Sequence, residues 1–133
     1  MDILILGGTG AMGIPLVDFL SKENQLYVTT RSCKENQNNI KYLQGNAKDT
    51  VFFNSLMNRD YDAIVDFMVY STEELGKRLP SLLDHTKQYF FFSSSRCYAD
   101  SSTLITENSP RLVDVCTDPE YLAIDEYGMA KGR

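Results

Sequence analysis

The chain has 133 residues, 43% hydrophobic and 23% charged, which suits one globular domain with a single core and leaves little room for a second. Its net charge of −5 argues against a nucleic-acid partner bound by broad phosphate neutralisation, while an acidic surface still permits a local site for a small anion. No apolar run approaches a membrane span or a signal-peptide core, and Cys33, Cys97 and Cys116 show neither an even count nor metal spacing; a cytoplasmic protein with free thiols, no membrane partner and no metal is expected.

Residues 2–6 predict a buried strand that runs into Gly7-Gly8-Thr9-Gly10-Ala11-Met12-Gly13. Gly7, Gly10 and Gly13 have the spacing G-x-x-G-x-x-G at a strand-to-helix turn. Such a turn holds a phosphate group against backbone N–H groups. Its glycines permit the tight bend, the close approach to a pyrophosphate and close helix–strand packing. The context the motif requires is present, with a strand before it, a helix after it and a second strand beyond. That helix is predicted over 11–22, with Pro15 in its first turn and Ile14, Val17 and Leu20 facing inward.

Residues 26–30, rich in β-branched and aromatic types, predict the second strand, and 31–39 a polar loop. A third strand over 40–43 closes at Gly45-Asn46, followed by a short helix over 50–57 and a fourth strand over 63–67. Ser71-Thr72-Glu73-Glu74 has the spacing of a capping box, opening a helix that Pro80 should kink or restart. The fifth strand is predicted over 89–93, where Phe90-Phe91-Phe92 implies cover on both faces. Residues 99–117 form a predicted long loop, after which Asp118-Pro119 joins an N-cap to a proline at the first helical position. Strands alternating with helices predict an α/β fold with a parallel sheet wound on both sides.

Two segments carry reactive groups. Ser93-Ser94-Ser95-Arg96-Cys97-Tyr98 lies at the end of the fifth strand, and open parallel sheets bind ligands outside the carboxyl ends of their strands. In Tyr127-Gly128-Met129-Ala130-Lys131, the phenol and the ammonium stand at i and i+4, on one helix face. A neighbouring positive charge favours phenolate, which makes Tyr127 a candidate general acid/base. His85 suits a polar position near a helix C-terminus, and Met12, Met57, Met68 and Met129 suit packing.

With these residues the whole chain resembles the extended short-chain dehydrogenases/reductases of the NAD-dependent epimerase/dehydratase group. Thr106-Glu107-Asn108-Ser109-Pro110 is also similar to that family's Thr-Glu-x-x-Pro segment. The resemblance implies a Rossmann-like doubly wound parallel sheet and a catalytic set of Ser94, Tyr127 and Lys131, with Ser95 the rival of Ser94. Tyr127 would move a proton at a sugar hydroxyl while hydride passes to or from nicotinamide. Lys131 would hold the nicotinamide ribose, and Ser94 would bind the substrate hydroxyl. Cofactor contacts are implied for Gly7, Gly10, Ala11, Met12, Gly13, Arg31, Ser32, Asn46, Ala47, Phe67 and Lys131.

Several positions depart from the family pattern. Members that prefer NAD carry an acid at the end of the second strand, where this chain has Arg31; an arginine suits the 2′-phosphate, so NADP is expected over NAD. Asn46 replaces the aspartate that meets the adenine amine, and Phe67-Met68-Val69 puts bulk where small residues line the cofactor's wall. Ser94-Ser95-Arg96 stands where nucleotide-sugar dehydratases have Thr-Asp-Glu, which leaves epimerase or ketoreductase chemistry on a nucleotide-linked sugar or similar hydroxyl substrate. The family's remaining strands and substrate lobe come after the position of Lys131. The chain therefore corresponds to its N-terminal portion, and turnover from that portion alone is not expected. The family's pairing through the Tyr127 helix implies a homodimer. A non-catalytic NAD(P)-sensing or scaffold protein on the same fold is the alternative, and an interaction protein that has lost the cofactor a third reading; Phe67-Met68-Val69 favours both, and the joint presence of Ser94, Tyr127 and Lys131 favours the enzyme.

Overall fold

A computed structural model describes residues 1–124 and 126–133. Five parallel strands, β1 (Asp2–Leu6), β2 (Gln25–Thr30), β3 (Ile40–Gln44), β4 (Ala63–Asp66) and β5 (Tyr89–Phe91), lie in the order β3-β2-β1-β4-β5. The order reverses between β1 and β4, which makes the carboxyl end of β1 the switch point of the sheet.

Alternation along the strands divides the core. Leu4, Leu6, Tyr27 and Ile64 point to one face, packing with Phe53 and Leu56 of α2 (Thr50–Leu56) and Leu82 of α3 (Thr72–Asp84). Ile3, Ile5, Leu26, Val28 and Val65 point to the other, against Val17 of α1 (Gly13–Leu20). The sheet is thus wound on both sides, as its sequence implies. Each fully buried leucine or isoleucine contributes about 2 kcal/mol.

The chain forms two compact units, residues 1–68 with 78–92, and residues 69–77 with 93–133. The first holds the sheet. The second holds a 3-10 turn (Ser95–Cys97), α4 (Leu112–Val115), α5 (Pro119–Ala123) and α6 (Tyr127–Gly132), with Cys97 and Met129 buried. The capping box forms reciprocally within it: the Ser71 N–H donates to Glu74 Oε2 at 2.9 Å and the Glu74 N–H to Ser71 Oγ at 3.1 Å. Asp118 caps α5 as expected, accepting from the N–H groups of Glu120 (2.9 Å) and Tyr121 (3.2 Å). His85 follows α3, its Nδ1 2.9 Å from the Ser81 carbonyl. No helix of the described residues is long and apolar enough to cross a membrane.

Four local expectations are corrected. The first helix begins at Gly13, and Ile14 is 53% exposed rather than inward. Gly13 itself takes the inward position against Gly8, which turns Ile14 to solvent. α3 runs through Pro80 without restarting. Proline removes one N–H bond, to the carbonyl of Gly76, while the burial of Leu82 beyond it holds the last turns of the helix. Phe90 (44% exposed) and Phe92 (40%) are only partly covered, at the end of the sheet where β5 has a neighbour on one side alone. Residues 99–117 contain α4, a single turn set by the bidentate Arg111–Asp114 pair at 2.8 and 2.9 Å.

Tyr61 makes the sheet unit sensitive to alkaline pH. Burial pushes its phenol up to about 12, partly offset by Arg59, and its hydroxyl donates to the Leu56 carbonyl at 2.8 Å. A raised folded-state pKa gives stability that is complete below the unfolded value near 10 and is lost as pH rises toward 12. Urea unfolding between pH 9 and pH 12 should therefore show a decline to which Tyr61 contributes up to roughly 2 kcal/mol, a share that Tyr61→Phe removes. An unchanged decline in that variant would place its origin elsewhere.

Candidate functional site

The turn after β1 is built by its glycines. Gly7 adopts φ +74°, a left-handed conformation that side chains disfavour, and its N–H donates to Thr29 Oγ1 at 2.9 Å. A Cβ on Gly13 would lie 2.5 Å from the Gly8 backbone, so α1 rests directly on the turn. Gly10 differs, because a Cβ there would meet nothing nearer than the Gly7 carbonyl at 3.7 Å. Gly10, Ala11 and Met12 are exposed, and Met12 caps α1 without a side-chain acceptor. The exposed backbone at a helix N-terminus, beside open space, suits an anion such as a diphosphate.

Because every strand is parallel, the residues after β2, β3 and β4 come to the same edge of the sheet. Arg31 is exposed there. Ser32 is tied back to β2, its N–H and carbonyl both meeting Thr30 Oγ1, at 3.3 and 3.0 Å. Asn46 Oδ1 accepts from the Lys48 N–H at 3.0 Å. Ala47 lies in the core at 4% exposure, and its carbonyl accepts from Arg78 Nη1 at 3.0 Å. Phe67 packs its ring on Phe92, centroids 4.4 Å apart, while Met68 Sδ comes within 3.3 Å of where a Gly7 Cβ would stand. The bulk of Phe67-Met68 therefore abuts the turn at Gly7.

In the second unit Ser94 caps the 3-10 turn, its hydroxyl accepting from the Arg96 N–H at 3.3 Å. Ser93 Oγ donates to the Lys131 carbonyl at 3.1 Å, joining this segment to α6. Tyr127 opens α6, with Lys131 one turn later on the same face. Glu126 caps the helix, accepting from the N–H groups of Gly128 (2.7 Å) and Met129 (3.4 Å). Burial and the adjacent Glu126 carboxylate push the Tyr121 phenol up. A cavity of about 510 Å³ in this unit is lined by Ser95, Arg96, Tyr98, Asp100, Tyr121 and Glu126 among others.

Sequence reasoning passed over Thr29, Asp66 and the Arg96–Glu126 pair. Asp66 is fully buried at the end of β4; its carboxylate accepts from the Met68 N–H at 2.8 Å and the Tyr89 hydroxyl at 2.9 Å. The available signal was a lone acid ending the apolar run Ala63-Ile64-Val65.

The parallel sheet, its strand order and the glycine turn at its switch point define a Rossmann-like doubly wound fold. The chain is similar to the N-terminal portion of short-chain dehydrogenase and epimerase structures. One is the UDP-Glc/GlcNAc 4-epimerase from Campylobacter jejuni (TM-score 0.72, 22% identity, 98% of this chain and 45% of that one). A second is a variant of uronate dehydrogenase from Agrobacterium tumefaciens complexed with NAD (TM-score 0.63, 16% identity, 83% and 48%). A third is a short chain dehydrogenase family protein from Francisella tularensis (TM-score 0.58, 13% identity, 76% and 54%). At these identities the likeness establishes the fold, and the chain spans about half the length of the structures it matches. No protein-family profile matches the sequence, and no curated sequence matches it significantly.

Proposed function

We propose that this chain is the dinucleotide-binding portion of an NAD(P)-dependent oxidoreductase or epimerase acting on a hydroxyl of a nucleotide-linked sugar or similar substrate. The observation that carries the reading is the open backbone at Gly10 in an otherwise close-packed turn at the switch point of the sheet. When bound, the dinucleotide supplies a hydride acceptor or donor at its nicotinamide. Gly7 and Gly13 shape the turn, while Gly10, Ala11 and Met12 present backbone to the diphosphate. Arg31 and Ser32 flank the adenosine ribose, Asn46 and Ala47 the adenine, and Phe67 the wall beyond β4.

The second unit carries the acid/base chemistry in this reading. Tyr127 moves a proton at the substrate hydroxyl, and Lys131 favours its phenolate and holds the ribose. Ser94, or Ser95 beside it, binds the substrate hydroxyl.

An exposed guanidinium after β2 suits a 2′-phosphate, so NADP is the preferred cofactor. Arg31→Ala is expected to weaken NADP binding about 10- to 100-fold by calorimetry, the loss of a charge-assisted contact, and to leave NAD binding as it was. Equal losses for both dinucleotides would remove Arg31 from the 2′-phosphate.

A further inference from the structure

Resting on the reading of Tyr127 above, we propose that Arg96 and Glu126 form a positioning pair that sets where the Tyr127 ring stands, with Gly128 as the contact that makes room for it. The two oxygens of Glu126 do different work. Oε1 takes Arg96 Nη2 at 2.5 Å, while Oε2 accepts the Gly128 and Met129 N–H groups at the start of α6. A carboxylate at a helix N-terminus is favoured by the exposed N–H groups and the helix dipole, so Glu126 is fixed to α6 whether or not Arg96 is present. Arg96 is fixed in turn, and its guanidinium carbon lies 5.7 Å from the centroid of the Tyr127 ring, within the range of a cation–π contact.

Gly128 supplies the geometry. A Cβ there would stand 2.6 Å from the Arg96 carbonyl and 3.0 Å from Glu126 Oε2. The backbone of α6 meets the 3-10 turn at a separation that any side chain would open. The far end of the helix is held independently, through Ser93 Oγ on the Lys131 carbonyl and Arg111 Nη1 on the Gly132 carbonyl at 3.1 Å. With both ends anchored, the first residue of α6 is placed by Arg96 and Glu126. The Arg96 side chain is 63% exposed and the pair contributes little stability, but Glu126 is 24% exposed and bonded on both oxygens, a geometry that fixes orientation.

The test uses the whole chain carrying 13C-labelled tyrosine, with the Tyr127 ring signals assigned by their loss in Tyr127→Phe. Arg96→Gln and Glu126→Gln are each expected to shift those signals, and the double variant to shift them no further than the larger single change. Arg96→Lys, which keeps the charge without the planar fork, should not restore the original position. Lys77→Gln breaks the exposed Lys77–Glu73 ion pair of the same unit and should leave Tyr127 in place. Unmoved signals in Arg96→Gln, which leaves the Glu126 cap intact, would overturn the proposal, as would additive shifts in the double variant. The readout needs neither cofactor nor turnover, so the pair and the acid/base role of Tyr127 fail separately.

Discussion

Replacing Gly13 with alanine should lower the stability of the chain by about 3 kcal/mol, measured by urea unfolding. The added Cβ would stand 2.5 Å from the carbonyl carbon and oxygen of Gly8 and 2.6 Å from its Cα. These are backbone atoms, with no flexible end to swing aside. The turn has no room to retreat either, because Gly8 is itself so close to the sheet that a Cβ there would meet Ile5 and Val28 at 2.8 Å. Either α1 lifts from the sheet, exposing Val17, or the turn distorts. Gly10→Ala should change stability by no more than about 1 kcal/mol, since its Cβ has space. Wild-type stability in Gly13→Ala would mean that α1 does not rest on the turn.

The second large effect is expected at Asp66. Asp66→Ala should destabilise by roughly 2 to 4 kcal/mol, because it removes the acceptor of two part-buried donors, the Met68 N–H and the Tyr89 hydroxyl, at about 1 to 2 kcal/mol each. The carboxylate ties the end of β4 to β5 through Tyr89 and to the chain leaving β4 through Met68, and it is fully buried. Tyr89→Phe should cost less, about 1 to 2 kcal/mol, and the double variant no more than Asp66→Ala alone. Independent, additive losses would show that Asp66 and Tyr89 do not act as one unit.

What was legible in the sequence was local. The alternation of Ile3, Leu4, Ile5 and Leu6 between two core clusters follows from strand geometry, and the glycine spacing specifies the turn that follows. Ser71 with Glu74, and Asp118 with Pro119, are caps whose partners lie within one turn. The failures were contacts between distant segments, or matters of placement that composition does not encode. Ile14 faces solvent because Gly13 meets Gly8 across the turn. A phenylalanine triplet does not reveal whether its strand is central or at the edge. Thr29 reaches Gly7 from β2, Asp66 takes its proton donor from β5, and Arg96 pairs with Glu126 across the loop 99–117. No periodicity marks such pairs. Of the candidate residues, the glycine turn and the Tyr127–Lys131 spacing were each visible, and the contacts around them, Thr29 on Gly7 and Arg96 on Glu126, were not.

Calorimetric titration of the chain with NADP and, separately, NAD is the most direct measure of whether the turn after β1 holds a dinucleotide. Both are expected to bind, NADP more tightly, and Gly10→Ala to lose more than about tenfold in affinity for each while remaining folded. A folded chain that binds neither would contradict that role of the turn, and the scaffold reading would then lead.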